Sequence, residues 1–345
     1  MLGKPEVIGI DVGQYSVKLA RIKQTSKSIT ITHLTYETIP AEVREQRDKE
    51  ALSKIVMSAL KKQKMSKGVP VLHVNFSDVV MRSITIDSPL EGNALEGRVE
   101  LELAQAIPFP MESVYFDFDE KVSKDGTCVA AAVRRDIADD KVNLLKGLPK
   151  SFDAPCVDID ALAIARLMGY VTKTEGLDDG VVLVVDIGYA RSRFYFCKGS
   201  ELLFNREQQI GGKNVNDIIM DMFDVSDDTA ENRKITNDFS RTDYDDLVLS
   251  PYVNTFVEQV RLVTDFFEAS GEHGKEPVRA LYMIGGGSRL FRLAERLNEE
   301  LGYEVKLLDL SLYIKGKLAE ALDSKDGLLQ TGVNHALAVG LAIEG

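Results

Sequence analysis

Three observations predict an α/β fold made of two like halves around a cleft. First, Val7-Ile8-Gly9-Ile10-Asp11-Val12-Gly13 and Val182-Leu183-Val184-Val185-Asp186-Ile187-Gly188 are one phrase written twice, with the two aspartates 175 positions apart. In each, an apolar run of strand length delivers one carboxylate and then a glycine where the chain turns. Second, each phrase is followed by two more strand-like runs: Tyr15 to Ala20 and Ile29 to Thr32 after the first, Arg193 to Phe196 and Leu202 to Phe204 after the second. Each half therefore opens as strand, turn, strand, turn, strand. Third, stretches with helical apolar spacing separate the later strands, among them Asp48 to Lys62, Val253 to Phe267 and Leu290 to Leu301.

Length and charge narrow the function. At 345 residues the chain is too long for one small core, and two domains of ordinary size are expected. The net charge of −12, from 42 basic and 54 acidic residues, argues against bulk binding to nucleic acid, which needs a basic face. Cys128, Cys156 and Cys197 form no CxxC pair. With no signal peptide in view they read as buried thiols in a reducing compartment. The apolar runs are strand-length, well short of the ~20 residues of a spanning helix. A cytoplasmic protein is expected, reaching a membrane only through a partner.

Taken in order, Val69 to Val74 returns as a strand, and His73 reads as one of its residues, since no His or Cys stands at ligand spacing. A different piece begins near Arg82. Ser83 to Asp87, Val114 to Phe118 and Thr127 to Val133 read as strands; Leu95 to Ile107 and Asp136 to Leu145 read as helices. The block from about 83 to 150 is a small α/β lobe set into the first half. Pro108-Phe109-Pro110 stops its first helix, either as a plain helix end or as the rim of a groove. A strand at Cys156 to Asp160 and a small-residue helix at Ala161 to Met168 follow, and Thr174 to Gly180 is the connector between halves. Asp224 to Asp246 is acidic, with a helical turn or two around Ala230 to Lys234. The closing helix, Asn334 to Ile343, is rich in small residues and suits close packing on another helix or on nucleotide.

The glycines add chemistry. Gly211-Gly212-Lys213 precedes a helix, and Ala280 to Ile284 runs as a strand into Gly285-Gly286-Gly287-Ser288 and then a helix. Glycine turns let backbone N–H groups approach an anion, and a helix N-terminus favours one. Two facing carboxylates about 4 Å apart repel by roughly 4 kcal/mol at an effective dielectric of 20, so a cation between Asp11 and Asp186 explains the pair better than stability does. Mg²⁺ takes a few carboxylates together with phosphate oxygens. Neither G-x-x-x-x-G-K-[ST] nor a G-x-G-x-x-G after a strand is present, which disfavours the commoner nucleotide folds.

The order phosphate loop, connecting helix, phosphate loop, triple-glycine adenosine loop, connecting helix resembles the actin/Hsp70/sugar-kinase ATPase superfamily, an actin-like and ribonuclease H-like duplicated fold. Within it the chain is similar to the FtsA-like PilM family of type IV pilus assembly. The resemblance rests on Gly9-Ile10-Asp11, Ser16-Val17-Lys18-Leu19, Ala106-Ile107-Pro108-Phe109-Pro110, Val157-Asp158-Ile159-Asp160-Ala161, Gly211-Gly212-Lys213 and Ala338-Val339-Gly340-Leu341-Ala342, nearly end to end. It implies a first half from 1–82, 151–177 and about 320–345, an FtsA-type inserted lobe at 83–150, and a second half at 178–319. It also implies roles. Asp11 and Asp186 would hold Mg²⁺ largely through water. Gly13, Gln14, Ser16 and Lys18 would form the first phosphate loop and Gly188 part of the second. Gly212 and Lys213, with Glu231 and Lys234, would approach ribose and base of ATP or ADP. Gly285, Gly286 and Gly287 would back the adenosine, and Asp160 would orient the attacking water.

Two departures bear on hydrolysis. Gln14 stands where relatives carry Ser or Thr, and Tyr189-Ala190-Arg191 crowds the second loop, so nucleotide binding with weak or absent ATPase activity is expected. The resemblance further implies a scaffold peripheral to the inner membrane that grips the N-terminal cytoplasmic tail of a PilN-like bitopic membrane protein. The tail would lie in a groove around Val80, Ile84, Ile107, Pro108 and Phe109, by strand addition or side-chain pockets. Homo-oligomers are left open. The rivals are a sugar or acetate kinase, which needs an Asp base in a polar pocket, an FtsA-like divisome adaptor, which needs a terminal amphipathic helix, and a GspL-like secretion protein, which continues into a spanning helix. The final Leu341-Ala342-Ile343-Glu344-Gly345 reads instead as the end of the core.

Overall fold

The two acid-bearing phrases become the inner strands of two sheets with the same strand order. The computed structural model describes residues 6–25, 29–62, 65–86, 90–120, 122–123, 126–271, 273–316 and 332–343. The first half begins with β1 (Val7–Val12), β2 (Ser16–Gln24), β3 (Ile29–Thr38), α1 (Ala41–Gln46), α2 (Lys49–Lys62) and β4 (Val69–Val74). The inserted lobe is β5 (Val79–Thr85), α3 (Asn93–Ala106), β6 (Val114–Phe118), β7 (Thr127–Arg134) and α4 (Arg135–Asn143). The chain returns through β8 (Cys156–Ile159) and α5 (Asp160–Glu175). The second half holds β9 (Val181–Ile187), β10 (Ser192–Lys198), β11 (Glu201–Gln208), α6 (Gly212–Phe223), α7 (Asp227–Thr236), the single turn α8 (Arg241–Asp243), α9 (Ser250–Glu268), β12 (Val278–Ile284), α10 (Leu293–Leu301) and β13 (Glu304–Leu307). The short β14 (Lys315–Gly316) and α11 (Ala336–Ala342) close the described chain.

The first sheet runs β14-β3-β2-β1-β4-β8 and the second β11-β10-β9-β12-β13, so β3-β2-β1-β4-β8 repeats as β11-β10-β9-β12-β13. In both, the acid-bearing strand pairs antiparallel with the next strand and parallel with a strand that arrives later. β1 and β9 are buried almost throughout, as strands covered on both faces must be, which is why their sequences are continuous apolar runs. The third sheet, β5-β7-β6, is antiparallel and one-sided. Along β7, Cys128, Ala130 and Ala132 turn inward against Leu95, Val99 and Leu103 of α3. Its first strand starts at Val79, four residues before position 83.

One apolar cluster joins the halves. α5 and α11 lie between the sheets, touching Val7, Ala20 and Ile22 on one side and Val182, Val184 and Tyr195 on the other. The approach is too close for side chains at two glycines. A Cβ on Gly9 would lie 1.9 Å from the Ala338 carbonyl oxygen, and one on Gly340 would lie 2.4 Å from that of Ala163. The small residues of the closing helix thus serve helix and strand packing.

Several expectations are corrected. Cys128 and Cys197 are buried, but Cys156 is exposed because it opens β8, the edge strand of its sheet. The acidic stretch carries the ten-residue α7 rather than a turn or two, started by Ser226 accepting from the Thr229 N–H and anchored by buried Ala230. The closing helix starts at Ala336, after a 3₁₀ turn at Val333–His335. The part of the first half expected from about 320 lies outside the described residues as far as 331. Among the described residues no helix is long and apolar enough to cross a membrane.

Candidate functional site

β1 and β9 deliver Asp11 and Asp186 into one cavity of about 1890 Å³ between the two sheets. The turns that follow close in the same way: the Gly13 N–H donates to the Ser16 carbonyl at 3.0 Å and the Gly188 N–H to the Arg191 carbonyl at 2.9 Å. Gln14, Ser16, Lys18, Gly212, Glu231, Lys234 and the three glycines 285–287 line the same cavity. Among the described residues it is lined by nine Lys or Arg and five Asp or Glu, a positive balance inside a chain of net charge −12. Such a lining attracts an anion.

The triple-glycine loop shows why side chains are absent there. Gly285 has φ +83°, and a Cβ on it would fall 2.3 Å from Asp186 Oδ1 and 2.7 Å from the Ile187 carbonyl oxygen. Gly286 faces the other way, with Asn334 Oδ1 at 3.9 Å as its nearest contact, so the loop is tight on β9 and open to the cavity. The strand–glycine–helix expectation is corrected in one respect. A 3₁₀ turn, Gly286–Arg289, follows the strand, and α10 begins only at Leu293, after Arg292 in the left-handed region, so its N-terminus does not meet the loop. The first donors of α6 are likewise committed: the Gly212 and Lys213 N–H groups bind the Gly188 and Tyr189 carbonyls at 2.9 and 2.7 Å.

The two carboxylates differ. Burial raises the pKa of Asp11, but the Lys18 ammonium at 2.9 Å and His73, with Nε2 at 3.5 Å, more than offset it and hold the carboxyl well below the usual range. Burial raises that of Asp186 too, and its nearest cation, Arg193 Nη1 at 3.8 Å, does not compensate, so its pKa stays above the ordinary value. Asp186 is therefore an under-neutralised acid that a divalent cation would satisfy, and the pair fits Mg²⁺ held with phosphate oxygens and water. Among the described residues no group of three or more His, Cys, Asp or Glu could form an all-protein metal cage.

Three sequence expectations are not brought to the cavity wall. Asp160 is fully buried beneath it: Oδ1 accepts from the backbone N–H of Phe76 at 2.8 Å and of Ala161 at 2.7 Å, while Oδ2 has, among the described residues, only Arg193 Nε at 3.5 Å. It fastens the start of α5 and orients Arg193. Lys213 turns to solvent, pairing with Asp217 one helical turn on at 2.7 Å. In the lobe, Ile84 and Ile107 sit in the core under α3 because the inward face of β5 is covered; Val80 is half-buried, and Pro108 and Phe109 are exposed. These do not form one open groove.

Sequence read His73 as an ordinary strand residue and did not single out Asn75, Lys141 or Arg193 for the site. His73, Asn75, Lys141 and Arg193 line the cavity beside the two aspartates. Arg193 also reaches Asn75 Oδ1 at 3.0 Å and Glu207 Oε2 at 3.2 Å. His73 stands next to last in β4, parallel to β1, and carboxyl ends of parallel strands are where such folds place ligands; that rule was the available signal. Lys234 donates to Glu231 and Asn216, both at 2.7 Å, and to the Gly212 carbonyl at 3.1 Å, forming a polar wall at the α6–α7 junction. Across the cavity, Tyr15 of the first turn and Tyr189 of the second lie 5.5 Å apart, with the Arg44 guanidinium 4.6 and 5.3 Å from their rings. Burial first, and then Glu231, push the Tyr15 hydroxyl up to about 12.

A sequence profile described as "Type IV pilus assembly protein PilM" matches residues 9–345. The chain belongs to the PilM family. As a member it is an actin-like protein of type IV pilus assembly. A solved structure described as the PilM–PilN type IV pilus biogenesis complex is similar to this PilM-family chain with a TM-score of 0.75 and 23% identity, over 97% of each chain. The ethanolamine utilization protein EutJ from Carboxydothermus hydrogenoformans matches with a TM-score of 0.52 and 13% identity, over 99% of this chain and 91% of that one. MreB5 of Spiroplasma citri bound to AMPPNP matches with a TM-score of 0.50 and 12% identity, over 98% and 95%.

Proposed function

We propose that this PilM-family chain is an ATP- or ADP-binding scaffold that sits in the cytoplasm at the inner membrane and grips the N-terminal tail of a PilN-like bitopic protein. The observation that carries the nucleotide reading is the single cavity in which two matched acid-bearing turns face the open side of a triple-glycine loop. In it, Lys18 and Arg193 would meet phosphate oxygens, Asp11 and Asp186 would hold Mg²⁺ through water, and Glu231 with Lys234 would face ribose and base. When bound, the metal would neutralise phosphate charge. The residues argue for binding over turnover: Asp160 is tied to two backbone N–H groups, and Arg193 stands between it and Asp186. The same burial leaves Asp160 unsuited to be the exposed base a sugar kinase needs. The tail-binding reading is supported by the likeness to a complex containing PilN and by exposed Phe109, over which Arg134 stands at 5.5 Å.

Calorimetric titration with ATP and Mg²⁺, repeated with a synthetic partner tail, tests both readings. Saturable nucleotide binding that needs Mg²⁺ and is lost in Asp186→Asn is expected. Absence of heat at millimolar ATP would remove the nucleotide. Tail affinity unchanged in Phe109→Asp would remove this face as the docking site.

A further inference from the structure

We infer that Lys141 is the residue through which the inserted lobe reads the terminal phosphate of a bound nucleoside triphosphate. The inference rests on the nucleotide reading above and adds a contact from a third part of the molecule. β7 ends at Arg134 and α4 begins at Arg135, with no residue between. β7 is the central strand of the lobe, paired on both sides. α4 therefore continues the lobe's middle strand directly to the cavity, and the buried Leu144 and Leu145 just beyond it seat it on the first half. Lys141 stands at the point where this helix meets the cavity wall.

Burial and partners together distinguish it: Arg47, the other lining cation without an ion pair among the described residues, is exposed to water, and Arg289 has a contact of its own. Lys18 is paired with Asp11, Arg193 with Glu207 and the two aspartates, Arg191 with Glu207, Lys234 with Glu231 and Lys49 with Asp140. Arg44 stacks on two tyrosines. Lys141 is half-buried and has no ion pair or hydrogen bond with any described residue. Burial depresses its pKa; Asp11, Asp78 and Asp160 oppose that from beyond pairing distance, and Arg193 adds to it. A desolvated ammonium without an anion is unfavourable, and a phosphate oxygen supplies the missing acceptor. Lys18 and Arg193 would share phosphate oxygens with the carboxylates that already hold them, whereas the Lys141 ammonium would gain its first anion there. A pull on it is transmitted along α4 to β7 without a flexible joint.

The test uses the full chain, titrated with ATP and with ADP, each with Mg²⁺, for the unmodified protein, Lys141→Met and Lys141→Arg. Removal of a charge-assisted hydrogen bond is expected to weaken ATP about tenfold or more. ADP should change less than about threefold, and Lys141→Arg should recover part of the ATP affinity. Amide exchange across Thr127–Arg134 should be slower with ATP than with ADP in the unmodified protein, and that difference should vanish in Lys141→Met. Equal loss for both nucleotides, or no loss, with thermal unfolding of the unliganded variant unchanged, overturns the inference and leaves the nucleotide reading standing. If the unmodified protein binds neither nucleotide, both fall together.

Discussion

His335 should be where acid is first felt by the fold. Its ring is buried at the start of α11; Nε2 donates to the Thr35 carbonyl at 3.1 Å and Nδ1 has no partner among the described residues. Burial lowers its pKa from 6.5 to about 4, with the Thr35 carbonyl and Asp11 opposing and Lys18 assisting. For a base whose folded-state pKa lies below the unfolded value, the unfolded chain takes up the proton first. The stabilisation is therefore whole above pH 6.5 and is lost as pH falls toward 4. At about 1.36 kcal/mol per pH unit, moving from pH 7.5 to 5 costs about 2 kcal/mol through this one ring. Asp186 acts in the opposite sense, because an acid whose pKa is raised by folding is stabilised as pH falls. The readout is thus the difference between the unmodified protein and His335→Gln, which keeps an N–H donor and does not titrate. In urea unfolding at pH 7.5 and 5, the variant should lose about 2 kcal/mol less than the unmodified chain. Losses equal within about 0.5 kcal/mol would refute the argument.

Three further outcomes follow from the packing. Gly97 lies exposed inside α3 with nothing within 4 Å of a Cβ, so Gly97→Ala should gain about 0.5–1 kcal/mol in urea unfolding, whereas Gly9→Ala, aimed at the Ala338 carbonyl, should lose about 3 kcal/mol or more. Lys18→Met strands the buried Asp11 carboxylate and should cost about 3 kcal/mol at pH 7; adding Asp11→Asn should restore most of it, as a double-mutant cycle would record. Tyr189→Ala removes one ring pair and one cation–π contact, together worth about 1.4 kcal/mol, so stopped-flow release of a fluorescent nucleotide should quicken about tenfold.

What the sequence revealed and what it hid have physical reasons. The duplicated strands were legible because a strand covered on both faces must be apolar throughout, and the acid ending each run broke that rule at the same place twice. The glycine loops were legible because no other residue fits where Asp186 and Ile187 press on Gly285. Lys141, Arg193 and His73 were not, since each sits in an ordinary helix or strand and becomes notable only when three separate segments meet. Ile84 and Ile107 misled for a related reason: an apolar side chain reads alike whether it lines a groove or fills the core under α3. Lys213 misled because a lysine beside glycines looks like a phosphate ligand until its carboxylate partner, one turn on, claims it.

The shared spine of α5 and α11 has a mechanical consequence. α11 packs on β1 and β2 of the first sheet and α5 on β10 and β11 of the second, and the contacts at Gly9, Gly340 and Gly169 join sheet to helix, helix to helix and helix to sheet with backbone against backbone. Sliding one half past the other would drive backbone into backbone at those points, so a rocking of each half about the helix pair is the less costly motion. In such a lever the helix pair travels least, and each part of a half travels farther the farther it stands from that pair. Small adjustments deep in the cavity would thus arrive magnified at the outermost surfaces, where a partner would feel them.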